Sequence, residues 1–484
     1  MSLGQMLEET CRQFPGHAAL IQEERKLTYL DLNRAVNSLG NRLREAGLQQ
    51  GDKVAVMLPN CPEFVISYFA IQKIGAVAVP LNVLSTSYEL RHLLGNSEAR
   101  GFITTKMLTG RFEEIREDLP LCDYLLLHDE QQKASPLQSA IEEGPFTLTM
   151  PEIKRDDPAV MIYTSGLTGK ALGAVLTQHN LLTQSDLLKV VCGTNDQDRG
   201  LSIIPLFHSF GAVVNMLCAI RVGAGVVLMD YFSVDGIFSA VEKEKITYLA
   251  AVPRLFLGMI MQAEQKKPDL GSLKLCITGG AAMPPEFFPR FEEKFGIRIM
   301  EGYGLTEASP VCSFTRPYMT HKPGSVGPVV PGVEAVVVDD AGHQLPTGRT
   351  GELVIRGDNV MKGYYKDEKA TAGVMRNGWL QTGDLARIDE DGYIFLTGRK
   401  KRMIITSGFN VYPREVEIVL NMHPAVKESR AVSKADLMRG EIVKALIVKN
   451  PDLPVTGKEM VRHCRKYLSS YKVPRDIEFV ENLN

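Results

Sequence analysis

The sequence predicts an α/β protein: a large N-terminal domain of two α/β sheet lobes plus a β-rich lobe, and a small C-terminal α+β domain. Three observations predict it. The chain has 484 residues, whereas single domains run to roughly 100–200. From Lys53 to Thr278, short β-branched runs alternate with helical patterns, the rhythm of βαβ units. From Gly324 to Arg399 that rhythm gives way to closely spaced strands with Gly and Pro turns.

In chain order, Lys53–Met57, Gly75–Pro80 and Gly101–Thr104 are expected strands, with helices over Tyr29–Ala46 and Glu63–Ile74, forming a first parallel layer. A second lobe is expected from Ala159–Tyr163, Leu201–Pro205, Gly225–Met229, Tyr248–Val252 and Lys274–Thr278, each followed by a helical stretch. Val333–Asp339, Gly351–Arg356 and Gly392–Thr397 supply the β-rich lobe. After Gly398 come Lys400-Lys401-Arg402, a strand, a glycine turn at Ser407-Gly408 and the helix Pro413–Leu420. The domains are therefore drawn at 1–398 and 403–484, joined by a linker at 399–402.

Composition narrows the function. With 44% hydrophobic residues, 23% charged residues and a formal charge of −2, the chain reads as globular and lacks the basic excess of a nucleic-acid binder. Its eight cysteines form no C-x-x-C pair and several sit in apolar runs, where a thiol behaves as a small hydrophobe. Reduced cysteines in a cytoplasmic protein are expected. Met1–Phe14 carries acids and lacks the basic and apolar regions of a signal peptide. The apolar stretch Gly211–Met229 is interrupted by Asn215, Arg221 and three glycines, which suits a buried helix and strand better than a membrane span. Peripheral membrane contact stays compatible with this reading.

Two loops carry the chemistry. Tyr163-Thr164-Ser165-Gly166-Leu167-Thr168-Gly169-Lys170-Ala171-Leu172-Gly173 directly follows an apolar strand. Its glycines, hydroxyls and lysine can aim N–H groups and a cation at polyphosphate. It is not a Walker loop, because Gly166 to Gly169 is too short and Ala171 replaces the Mg-binding hydroxyl. The second loop, Glu301-Gly302-Tyr303-Gly304-Leu305-Thr306-Glu307, combines two glycines, an aromatic face, a hydroxyl and a carboxylate. That set can stack a base and hold a metal, but it lacks the third glycine of a dinucleotide fingerprint. Either loop alone is more often a plain turn than a site.

Together with other segments in a fixed order, these loops resemble the adenylate-forming superfamily of acyl-CoA synthetases, luciferases and peptide-synthetase adenylation domains. The further segments are Pro205–Gly211, Thr278-Gly279-Gly280-Ala281, Trp379–Asp384, Gly398-Arg399-Lys400-Lys401 and Ser407–Pro413. The resemblance runs through nearly the whole chain.

That resemblance implies an acid–thiol ligase, an AMP-forming acyl-CoA synthetase using ATP, Mg²⁺ and CoA. The acid attacks the α-phosphate of ATP and expels pyrophosphate; the CoA thiol then attacks the acyl-AMP and expels AMP. Thr164, Ser165, Gly166, Thr168, Gly169 and Lys170 would cradle the outer phosphates. Thr306 would touch the α-phosphate and Glu307 would hold Mg²⁺. Gly280, Ala281, Glu301, Gly302, Tyr303 and Gly304 would wall the adenine, Asp384 would accept the ribose hydroxyls, and Arg399 would contact the ribose or phosphate edge. His208, Phe210 and Gly211 would border the acyl group, with apolar Val213, Val214 and Met216 behind them. Residues 403–484 would be a mobile lid turning about Lys401, bringing Ser407 and Gly408 to the pantetheine tunnel.

The resemblance also marks departures. The family loop reads T-S-G-T-T-G-x-x-K-G, and here Leu167 and Leu172 stand for a threonine and the lysine. Losing the lysine's charged hydrogen bond is expected to cost roughly 1.5–3 kcal/mol. Tyr471-Lys472-Val473-Pro474-Arg475 resembles the segment before the family's P-K-x-x-x-G-K motif, which the 484 residues do not reach. These residues alone are thus expected to adenylate slowly and to be less impaired in thioester formation from supplied acyl-AMP. A medium- or long-chain fatty acid is the expected substrate, from the stretch Gly304–Pro310; an aryl or alicyclic acid is the alternative. A carrier-protein-loading adenylation domain and a non-catalytic acyl-adenylate or nucleotide-binding protein are the competing functions.

Overall fold

The computed structural model describes residues 1–483 except 130–134, 166–168, 232, 264–267, 401–402, 437 and 452, and of Ser165 the backbone only. Two largely parallel sheets form the body. The first has seven strands in the order Gly363–Tyr364, Ala171–Thr177, Pro158–Ser165, Val77–Pro80, Lys53–Met57, Ala99–Thr105, Tyr124–His128. The second has eight: Val311–Phe314, Ile299–Gly304, Leu275–Thr278, Tyr248–Ala251, Arg199–Ser202, Gly225–Leu228, Ala18–Gln22, Arg25–Thr28. Helix Pro62–Lys73 is buried on every side, which is why its sequence shows no polar face. The Lys73 ammonium at its end is satisfied by Glu8 at 2.9 Å and by Asn33 and Asn37 at 2.7 Å.

The expected place of the strand Ala159–Tyr163 needs correction. Pro158–Ser165 belongs to the first sheet, beside Val77–Pro80, and returns as an antiparallel hairpin with Ala171–Thr177 instead of entering a helix. The connection between these strands is too short for a helical crossover. The hairpin Ala18–Gln22/Arg25–Thr28, from the start of the chain, joins the second sheet through Gly225–Leu228. Gly211–Val222 is helical, with a π-helical first part, and leads into the strand Gly225–Leu228. Among the described residues no helix is long and apolar enough to cross a membrane.

The β-rich lobe is a five-stranded antiparallel sheet built around Trp379–Ile388, which pairs with Gly351–Gly357, Met375–Arg376 and Ile394–Arg399, while Val333–Val338 forms its edge. Residues from 403 onward make a separate sheet of Phe409–Val411, Ile404–Thr406, Gly440–Lys449, Val426–Asp436 and Asp476–Phe479. Helices Pro413–Asn421 and Gly457–Tyr467 cover it, and Val416, Leu420, Ile447, Met460 and Cys464 close its own core.

Candidate active site

Ligands of open parallel sheets gather beyond the carboxyl ends of the strands. Here both sheets aim such ends at one cavity of about 1370 Å³. Ile162–Thr164 reach it from the first sheet, and Ile277–Gly280 and Glu301–Gly304 from the second. Two glycines, Gly304 on the cavity wall and Gly211 behind it, are sterically required. A Cβ on Gly304 would lie 1.9 Å from the Pro310 carbonyl oxygen, and one on Gly211 2.4 Å from that of Pro205.

At one end stands a carboxylate ringed by hydroxyls. Glu307 Oε1 accepts hydrogen bonds from Thr164 Oγ1 at 3.1 Å and Tyr364 OH at 2.8 Å. Beside it, Thr306 Oγ1 lies 3.3 Å from Ser209 Oγ. Oxygen donors around one carboxylate suit a hard cation whose other positions are filled by phosphate and water. Among the described residues no three His, Cys, Asp or Glu side chains converge, so a cation brought with a polyphosphate fits better than an all-protein cage.

A second carboxylate joins two sheets. Asp384 Oδ2 accepts from the hydroxyl of half-buried Tyr303 at 2.6 Å, and Oδ1 from Arg399 Nε at 3.1 Å. Asp384 and Arg399 are cross-strand partners in the β-rich sheet, so backbone register aligns this ion pair. Glu301 lies two residues before Tyr303 on the strand Ile299–Gly304, and burial pushes its carboxyl up to about 7. Half-buried His208 is pushed down to about 4 by burial. Its Nδ1 accepts the Phe210 N–H at 3.2 Å, so the neutral ring carries its proton on Nε2.

The remaining wall comes from the C-terminal unit. Gly408, at φ +87°, sits so close to Val252 that a Cβ would lie 2.8 Å from Val252 Cγ1. Phe409 stacks on Phe207, with ring centroids 6.4 Å apart. Ile418 packs on Gly169, where a Cβ would meet Ile418 Cδ1 at 2.5 Å. Arg254 and Arg439 both reach the Ser407 hydroxyl at 3.4 Å, one from each side of the interface.

Of the expected site residues, Thr164, Gly169, Lys170, His208, Phe210 and Gly280 line this cavity. So do Ala281, Glu301, Gly302, Tyr303, Gly304, Thr306, Glu307, Asp384, Arg399 and Gly408. Gly211 and Ser407 do not line it. Gly166, Leu167, Thr168 and Lys401 fall outside the described residues. Sequence reading missed Tyr364, which reaches Glu307 from a two-residue strand that carries no pattern of its own.

Residues 7–365 match the family described as AMP-binding enzyme, and residues 415–484 match the AMP-binding enzyme C-terminal domain. The chain belongs to the AMP-binding enzyme family. It is 33% identical to a long-chain-fatty-acid–CoA ligase of Bacillus subtilis (strain 168), over 100% of this chain and 91% of that one. It is 35% identical to a feruloyl-CoA synthase of an Amycolatopsis species, over 99% and 95%. Among solved structures, the o-succinylbenzoate CoA synthetase MenE of Bacillus subtilis, a double mutant bound to the product analogue OSB-NCoA, superposes with a TM-score of 0.89 at 28% identity, covering 99% of this chain and 95% of that one.

Proposed function

We propose that this AMP-binding enzyme is an acyl-CoA ligase that activates a carboxylic acid with an apolar tail, first a medium- or long-chain fatty acid. One observation carries the reading: a single cavity joins the Thr306–Glu307 corner and the Tyr303–Asp384–Arg399 group to an apolar wall and to Gly408.

Adenylation needs in-line positioning and charge neutralisation more than a protein nucleophile. Asp384 accepts the ribose hydroxyls in place of Tyr303 and Arg399, and Thr306 donates its hydroxyl to the α-phosphate. Lys170 lies exposed at the phosphate loop and supplies a cation to the outer phosphates. Glu307, with the Thr164 and Tyr364 hydroxyls beside it, would hold Mg²⁺, which bound there with ATP neutralises phosphate charge. Neutral His208 offers Nε2–H to an acyl oxygen. The apolar tail then runs among Phe210, Val214, Val311 and Phe314. For the second step, the missing side chain of Gly408 leaves room for a thin pantetheine arm.

A second reading, an aryl acid, is favoured by the 35% identity to the feruloyl-CoA synthase. A panel of fatty acids of increasing length and of benzoate- and cinnamate-type acids, assayed with ATP and CoA for thioester, separates the two. Highest kcat/KM on the longer fatty acids is expected. Highest kcat/KM on the ring acids selects the second reading, and no thioester from any of them overturns both.

A further inference from the structure

On the cavity wall, where the two units meet, an ammonium group is buried between two carboxylates. Lys472 Nζ donates to Glu89 Oε1 at 2.8 Å and to Glu415 Oε2 at 2.9 Å, and all three side chains are about nine-tenths buried. Glu415 belongs to the same unit as Lys472. Glu89 belongs to helix Ser87–Ser97 of the N-terminal body. One arm of the network is thus internal to the C-terminal unit, and the other crosses the interface.

The first turn of that helix grips the Tyr467–Lys472 segment at further points. Ser469 Oγ donates to Glu89 Oε2 at 2.5 Å, Thr86 Oγ1 donates to the Tyr467 carbonyl at 3.0 Å, and the Tyr88 and Tyr467 rings meet edge-on at 5.4 Å. Glu89 Oε2 also accepts the Thr86 N–H at 2.9 Å, closing the helix's capping box. Burial opposes the charge on Glu89, yet Lys472, Ser469 and the Thr86 N–H outweigh it and hold the carboxyl below its ordinary range. Burial likewise opposes the Lys472 charge, and the carboxylates outweigh it.

Such a pair is worth forming only when every partner is in place, because taking ions out of water is costly. If the C-terminal unit turns away, Glu89 keeps its cap and regains water, and Lys472 keeps Glu415. Only the crossing arm depends on orientation. That arm is also wired to the site. Tyr471, next to Lys472, stacks on Phe409 at 4.6 Å, and Phe409 stacks on Phe207, the neighbour of His208.

We propose that Glu89, acting through Lys472, is a positioning residue for thioester formation: their contact latches the C-terminal unit in the orientation that seats Gly408 and Phe409 at the cavity. The inference rests on the acyl-CoA ligase reading for its kinetic consequence, though not for the latch itself.

Glu89→Gln is the cleanest probe, since Gln also closes a capping box and leaves Lys472–Glu415 intact. In the full chain, thioester formation from supplied acyl-AMP and CoA should slow about tenfold to a hundredfold, the range for losing one charged hydrogen bond. ATP–pyrophosphate exchange with the acid should hold or rise. Adding Glu89→Gln to Lys472→Met should slow thioester formation little beyond Lys472→Met alone, because the two residues act through one contact. Equal loss in both half-reactions, or undiminished thioester formation, overturns the proposal. A second readout is independent of the acceptor: Tyr88→Cys with Tyr467→Cys, joined by a short bis-maleimide, should cross-link more slowly once Glu89→Gln is added. If the parent protein makes no thioester at all, the ligase reading fails, and the cross-linking rate alone decides the latch: slower supports it, unchanged refutes it.

Discussion

Glu301 offers a sharp physical test, because its cost to the fold can be worked out from its surroundings. The residue is 5% exposed, and burial, partly offset by the Met283 N–H, moves its carboxyl from 4.5 to about 7. An acid raised in the folded state binds its proton more tightly there than in the unfolded chain. Stability is therefore full below about pH 4.5, falls as pH rises towards 7, and stays reduced above it. A gap of about 2.5 in pKa, at about 1.36 kcal/mol each, corresponds to roughly 3 kcal/mol. Glu301→Gln cannot ionise, so its stability relative to the parent should grow by roughly 3 kcal/mol between pH 4 and pH 8. Any fixed cost of burying the amide cancels in that comparison. Urea unfolding followed by Trp379, the sole tryptophan, reports on the large N-terminal body. A stability difference that does not change with pH would refute the reasoning.

Two further substitutions probe the site. Gly408→Ala must adopt φ near +87° and bring a Cβ to 2.8 Å from Val252 Cγ1; the left-handed conformation alone costs about 1–2 kcal/mol. Thioester formation from acyl-AMP should fall about tenfold or more while acyl-AMP formation changes by less than about twofold, and equal losses would show that the loop does not serve the second step. Leu172 lies on the cavity wall, paired in register with Thr164, so Leu172→Lys should raise kcat/KM for ATP in pyrophosphate exchange by about tenfold to a hundredfold; an unchanged value removes position 172 from the phosphate contacts.

Much of this site was legible because its residues sit on short loops at strand ends, where glycines and polar side chains interrupt apolar runs. The Glu301–Glu307 and Trp379–Asp384 segments announce themselves in that way, and the structure joins them through Tyr303 and Asp384. What stayed hidden was the partner of each strand. An apolar run such as Ala159–Tyr163 looks the same whether its neighbour precedes it or follows it, and the antiparallel return through Ala171–Thr177 leaves no periodic trace. The Ala18–Gln22 strand pairs with one more than two hundred residues later, for the same reason unreadable locally. Nothing in the local sequence marks Lys472 as a buried, paired lysine. Only the fold brings Glu89 to it across 383 positions of sequence.

The central claim is that the acid is activated as its adenylate before CoA takes it. Supplying an acid labelled with ¹⁸O in both carboxylate oxygens, together with ATP and CoA, and weighing the nucleotide product by mass spectrometry tests this directly. One labelled oxygen should appear in AMP and the other should remain in the thioester. Unlabelled AMP, or ADP with the label in phosphate, would contradict it.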